Sequence, residues 1–106
     1  MVIRSDKHIK VFGLFFGGSQ NIRAIALWPN IYVASNTIID DELINHEKIH
    51  LTQQKELLIL PFYIWYLIEL YTKGYRNISF EKEAYANEHN LTYLNNRRIF
   101  SFIKYL

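Results

Sequence analysis

His46, Glu47 and His50, within the stretch "INHEKIHLTQQ" at residues 44–54, have the spacing H-E-x-x-H. On an α-helix, two histidines four residues apart lie about 40° apart around the axis, so both imidazoles can converge on one ion. Glu47 follows the first histidine directly and stands beside such an ion without binding it. From there its carboxylate can take a proton from a water that zinc has made acidic, which is general-base chemistry. With 4 histidines and 7 glutamates among 106 residues, chance produces this pentapeptide in about one such chain in a hundred. The motif therefore gains weight only from its surroundings.

A catalytic zinc needs three protein ligands and one open position. The chain has no cysteine, which removes disulfides, thiolate ligands and a thiol nucleophile together. The third ligand must come from His8, from His89, or from the acids of "FEKEAYANEHN", residues 80–90, which supplies Glu81, Glu83 and Glu88. His8, in a polar N-terminal segment, is expected to be solvated. Helical phase puts Glu81 and Glu88 on one flank of a Phe80/Ala84/Leu91 stripe, and Glu83 and Asn90 on the other. Phase alone does not choose between the flanks.

The elements that would position these groups can be read from periodicity and punctuation. Asn36, Thr37, Asp40 and Asp41 are candidate caps, and Asp41-Glu42 suits a first helical turn. The helical pattern continues to about Leu60, with Ile44, Leu51 and Leu58 as one apolar stripe. The face bearing His46 and His50 continues to Gln53 and Gln54, as expected of a helix lining a cleft. Pro61 ends or kinks this helix. A second helix is predicted over 62–72, stopping near Lys73-Gly74. Tyr75–Ile78 connects it to a third helix, with Ser79 as cap and Phe80, Ala84, Leu91 and Leu94 as apolar positions. Upstream, the runs Ile9–Phe16, Ile22–Trp28 and Ile31–Ala34 read as strands, separated by a Gly17–Asn21 turn and by Pro29-Asn30. Connections this short predict antiparallel hairpins. The expected fold is α+β: short antiparallel β-hairpins followed by three helices, in a single domain spanning 1–106.

Half of the residues are apolar and 16% are aromatic, enough for a proper core. The formal net charge of +2 gives no general case for nucleic acid, and Arg97, Arg98 and Lys104 read as a solvated helix end. The uncharged run 57–68 falls short of the roughly twenty residues that a membrane span requires, and Pro61 interrupts it. A buried helix is expected there, with Phe62, Trp65 and Tyr66 offering a peripheral membrane contact. The apolar stretch Val11–Phe16 is short for a secretory signal and reads as a strand. A cysteine-free chain is compatible with the cytoplasm, which is the expected location.

The H-E-x-x-H helix and "FEKEAY" together resemble the gluzincins, whose third zinc ligand is a Glu on a later helix. The downstream cluster resembles the E-x-E-A-D or E-x-x-A-D signature of the heat-shock and prenyl-protein endopeptidases and the β-lactam-sensor peptidases. The chain is also similar to short, functionally unassigned bacterial proteins with an aromatic second helix and an "FExEAY" cluster. In "EKEAY", Glu81, Glu83 and Ala84 match, and Tyr85 stands where the Asp would be. This register implies Glu81 as third ligand; a shifted register, "EAYAN", implies Glu83 with Asn87 as its supporting residue. The family Asp orients a ligand histidine, whereas Tyr85 or Asn87 would supply a hydrogen bond without charge. The resemblance covers about residues 31 to 95 and implies a minimal zincin-like core that hydrolyses peptide bonds, with Glu47 as general base and "WPNIYVAS" as the edge strand along which substrate lies. Tyr75 and Tyr85 are candidates to steady an oxyanion. The competing reading is a non-catalytic zinc-binding interaction module of the same fold, which the small size favours.

Overall fold

Ser5 starts the first helix. Its hydroxyl oxygen accepts the His8 N–H at 3.3 Å, and Asp6 follows in the first turn, where a negative charge meets the helix dipole. In this computed structural model, which describes residues 1–15 and 22–106, strand β1 (Val2–Arg4) therefore leads straight into helix α1 (Asp6–Phe15). The strand expected over 9–16 is a helix instead. Ile9, Phe12 and Gly13 turn inward while Lys10 and Val11 are exposed, which is helical spacing. The cap outweighs the β-branched composition. Phe16 and the Gly17–Asn21 turn lie outside the described residues.

Strands β2 (Ala24–Leu27) and β3 (Asn30–Val33) form an antiparallel hairpin, with Ala24 opposite Val33 and Leu27 opposite Asn30. The turn is Trp28-Pro29, joined by a cis peptide bond. The third strand departs from the expected all-antiparallel arrangement. β1 pairs with β3 in parallel, Val2 opposite Ile31, giving a mixed sheet in the order β1-β3-β2. The strand of "WPNIYVAS" is thus central, and β2 is the edge.

Helix α2 (Asp41–Glu56) is capped by the Asp40 carboxylate, which accepts the Leu43 N–H at 2.8 Å. The stripe expected through Ile44, Leu51 and Leu58 is not its buried face. Leu58 lies beyond the helix and is 79% exposed, while Leu43, Asn45, His46, Glu47, Ile49, His50, Gln53 and Gln54 are buried. Helix α2 turns mostly polar side chains inward. They are tolerated because each finds a partner: no buried side-chain polar atom among the described residues lacks one.

Leu58 and Ile59 both adopt positive φ, 61° and 64°, a conformation that costs about 1–3 kcal/mol at a non-glycine residue. The reversal is held by the Ile59 N–H, which donates to the Gln54 carbonyl at 2.7 Å. Helix α3 (Leu60–Lys73) follows, with Pro61 in its first turn, where no N–H is needed, and Gly74 at its end with φ 83°. No helix among the described residues is long and apolar enough to cross a membrane. Phe62 and Tyr66 are buried and Trp65 is half-buried, so the expected membrane-facing residues belong to the core. Leu60, Ile64 and Ile68 face outward instead.

Helix α4 (Ser79–Asn87) is not capped by Ser79 itself. The buried Glu69 carboxylate of α3 accepts both the Ser79 N–H (2.9 Å) and its hydroxyl (2.7 Å), so α3 caps α4 with a full negative charge. A short α5 (Tyr93–Asn96) and a closing 3-10 segment, Ser101–Tyr105, complete the chain. The helix expected to carry Leu91 and Leu94 ends at Asn87, and Leu91 is exposed. Asn45 closes that end, its Nδ2 lying 2.7–3.3 Å from the carbonyl oxygens of Asn87, Glu88 and Asn90. Phe62, Tyr66, Ile78, Phe80 and Phe102 form one core; Ile31, Val33 and Leu43 form a second between sheet and α2. The chain is α+β, with five helices and a three-stranded mixed sheet among the described residues.

Candidate metal centre

Where α2 faces α4, three ligand atoms meet. His46 Nε2 and His50 Nε2 are 3.2 Å apart, and Glu81 Oε1 lies 3.2 Å from the first and 3.0 Å from the second. All three residues are buried. A tetrahedral ion with bonds of about 2.0–2.2 Å would separate its ligand atoms by about 3.3–3.6 Å. The triangle is within a few tenths of an ångström of that edge length.

The hydrogen bonds around the triangle assign its protons. His46 Nδ1 lies 2.8 Å from Glu88 Oε1, and His50 Nδ1 lies 2.8 Å from Gln53 Oε1. A carboxylate oxygen and an amide oxygen can only accept, so each Nδ1 carries a hydrogen, and in the neutral rings each Nε2 presents a lone pair. Two imidazole lone pairs and a carboxylate oxygen then converge at about 3 Å. That arrangement repels itself unless a cation, metal ion or proton, sits among the three. The same demand shows in the electrostatics of the protein alone. Burial would lower His50, but the adjoining Glu81 carboxylate outweighs it and pushes the imidazole up to about 9. Burial would likewise raise Glu81, yet the His50 and His46 rings hold it well below the ordinary carboxylate range. Tyr66, from α3, donates its hydroxyl to Glu81 Oε2 at 2.8 Å and fixes the rotation of the carboxyl group.

Glu47 is buried beside the triangle, its Oε2 4.0 Å from His46 Nε2. Burial pushes its carboxyl above the ordinary value, with the two imidazoles opposing that shift. A cleft of about 1300 Å³ among the described residues opens onto His46, Glu47 and His50, walled by β2 on one side and by Tyr66, Tyr75 and Tyr85 on another.

The remaining expected residues take other places. Glu83 is fully buried but turned away from the triangle. Its carboxylate accepts from Tyr93 Oη (2.6 Å), Gln53 Nε2 (3.0 Å) and the Arg97 guanidinium, which also grips Glu56. Arg97 is therefore an interior ion-pair residue and no part of a solvated basic face. Tyr85 sets its ring against His46, centroids 4.5 Å apart, while its hydroxyl pairs with that of Tyr75 at 2.9 Å. Asn87 Nδ2 donates to the Glu83 carbonyl and to Tyr105 Oη, on the far side from the histidines. His89 is exposed, and His8 is exposed and stacked on Tyr32 at 4.1 Å.

Neither Tyr85 nor Asn87 makes a hydrogen bond to His46 or His50; Glu88 accepts from His46 Nδ1 instead. The available signal was phase: Glu88 stands two helical turns past Glu81 on the same flank, so an acid there can pass the ligand and reach the histidine behind it. Gln53 is the corresponding partner of His50, three residues along the same helix and on the same face. No protein-family model, curated protein or solved structure matches the chain.

Proposed function

We propose that this protein is a zinc-dependent metallopeptidase built on a minimal zincin-like core. The convergence of His46 Nε2, His50 Nε2 and Glu81 Oε1 within 3.2 Å of one another carries the reading. Two imidazoles and one carboxylate, with no thiolate in the chain, are a donor set suited to catalytic zinc, which keeps its fourth position open. Glu83, the ligand of the shifted register, is committed to Arg97 and Tyr93. When bound, zinc would lower the pKa of water toward neutrality and polarise a substrate carbonyl.

The side chains around the ion have distinct tasks. Glu47 is buried beside the triangle, where a general base is needed, and its raised proton affinity suits it to take a proton. The Tyr75 and Tyr85 hydroxyls border the same cleft and are the donors available to a developing oxyanion. An extended peptide fits the edge of β2. The Ala26 carbonyl on that edge is already taken by Gln54 Nε2 (2.7 Å) and Tyr63 Oη (2.9 Å), so pairing is left to the Ala24 end of the strand. Peptide or protein is the substrate class, nucleic acid is not expected, and any peripheral membrane contact falls to Leu60, Ile64 and Ile68. A non-catalytic zinc module would need the ligands but neither a buried Glu47 beside them nor the cleft.

Elemental analysis of wild type, His46→Ala, Glu81→Gln and Glu83→Gln tests the centre. About one zinc per chain is expected in wild type and, at saturating metal, in Glu83→Gln, with loss in the other two. A wild-type protein that neither holds nor takes up zinc sinks the proposal. Glu47→Gln separates enzyme from module: zinc is retained and hydrolysis of unfolded protein substrates falls by about 10²–10⁴. Zinc-loaded wild type with no hydrolysis beyond that of Glu47→Gln favours the module.

A further inference from the structure

Only one orientation of the Gln53 amide satisfies its surroundings. The side chain is fully buried between α2 and α4. Its Nε2 lies 3.1 Å from the Phe80 carbonyl oxygen and 3.0 Å from Glu83 Oε1, and its Oε1 lies 2.8 Å from His50 Nδ1. The Phe80 oxygen can only accept. Glu83 accepts as well, because Tyr93 Oη and two nitrogens of Arg97 donate into it. Two acceptors on one side pin the NH₂ there and turn the amide oxygen toward His50. That oxygen in turn demands the hydrogen of Nδ1, so the lone pair of the neutral ring is on Nε2, facing His46 and Glu81.

We propose that Glu83 and Arg97 are positioning residues for the metal ligand His50, acting through Gln53. The inference rests on the metal-site reading above. It gives Glu83 a part in zinc binding without making it a ligand. It also ties the segment after α5, which carries Arg97, to a centre that it never touches: Arg97 clamps Glu83 of α4 and Glu56 of α2 together, on either side of Gln53. Tautomer and ring orientation of a ligand histidine are set by the partner of its other nitrogen. Here that partner is a neutral amide, whose own direction is decided by a buried ion pair one step further out.

The test is a thermodynamic cycle on the full chain, with zinc affinity read by competition against a chromogenic chelator. Gln53→Met removes the acceptor and is expected to weaken zinc binding about 10–100-fold. Glu83→Gln leaves an amide that can offer either face to Gln53, and about a tenfold loss is expected. If Glu83 acts through Gln53, the double variant binds zinc no more weakly than Gln53→Met alone. A Glu83→Gln affinity within twofold of wild type, or losses that multiply in the double variant, would overturn the proposal. Far-UV circular dichroism establishes that each variant is folded. Should Glu83→Gln not fold, nuclear Overhauser contacts in wild type decide the matter: the Gln53 NH₂ protons should lie against Phe80, and contacts to the His50 ring instead refute it. That measurement needs no metal, so a chain that takes up no zinc would sink the metal reading and leave the amide orientation separately tested.

Discussion

Glu88→Gln is the substitution that most directly tests how His46 is held. In the wild type the Glu88 carboxylate accepts from His46 Nδ1 at 2.8 Å, with the Glu88 side chain 25% exposed. A hydrogen bond to a charged group contributes about 1.5–3 kcal/mol net. Two features reduce what this variant loses. Partial exposure screens the charge, and the glutamine amide oxygen can still accept from the same nitrogen. About half of that, roughly 0.8–1.5 kcal/mol, is the expected cost, equivalent to about a 4- to 12-fold rise in the zinc Kd. Tyr85 against the ring and the rotamer of α2 keep His46 in place, so the ligand itself is not lost. Chelator competition at fixed pH and ionic strength measures the change, with His46→Ala as the reference for a missing ligand. An unchanged affinity would mean that Glu88 is an incidental neighbour. A loss as complete as that of His46→Ala would mean that Glu88 binds the ion itself and that the triangle is wrongly drawn.

Two other outcomes check the scaffold. Asp6 accepts the Ser35 N–H at 2.9 Å and the Ser35 hydroxyl at 2.7 Å, and the backbone hydrogen bond, foremost, holds its carboxyl below the ordinary aspartate value of 3.8. A folded pKa below the unfolded one means that this contact contributes above the unfolded value and is lost as pH falls through the folded one; a carboxyl-detected NMR titration with a midpoint at or above 3.8 would contradict the geometry. Phe80 is fully buried and its ring meets Phe62, Trp65, Tyr66 and Phe102, so Phe80→Ala should cost about 3–5 kcal/mol by urea denaturation. A loss under about 1 kcal/mol would show that this core is drawn too tightly.

Much of the helical half was legible because its signals are local. Asp40 as cap, Pro61 as a break and Gly74 as a stop each act within a few residues. The N-terminal third was not, because two local signals conflict there. A β-branched run argues for strand, while Ser5 and Asp6 argue for a helix start, and the parallel pairing of β1 with β3 exists only because that helix supplies the crossover. The buried face of α2 was misjudged for a related reason. Periodicity detects apolar residues, and this face is mostly polar.

The sequence by itself determined the pairing of His46 with His50 and the place of Glu47 between them, since a helix of fixed pitch is all that their convergence needs. It also confined the third group that could join them to a handful of side chains. Only the tertiary structure decided among those, because the choice depends on which flank of α4 meets α2, and that is set by residues distant in sequence. Glu69 caps α4 from α3, Asn45 closes its far end from α2, and Arg97 draws Glu83 to the opposite side. Those contacts leave Glu81 and Glu88 facing the histidines. Carboxylates two residues apart on one short helix thus take different roles, one at the metal triangle and one in an ion pair, because helical phase sends them to different neighbours.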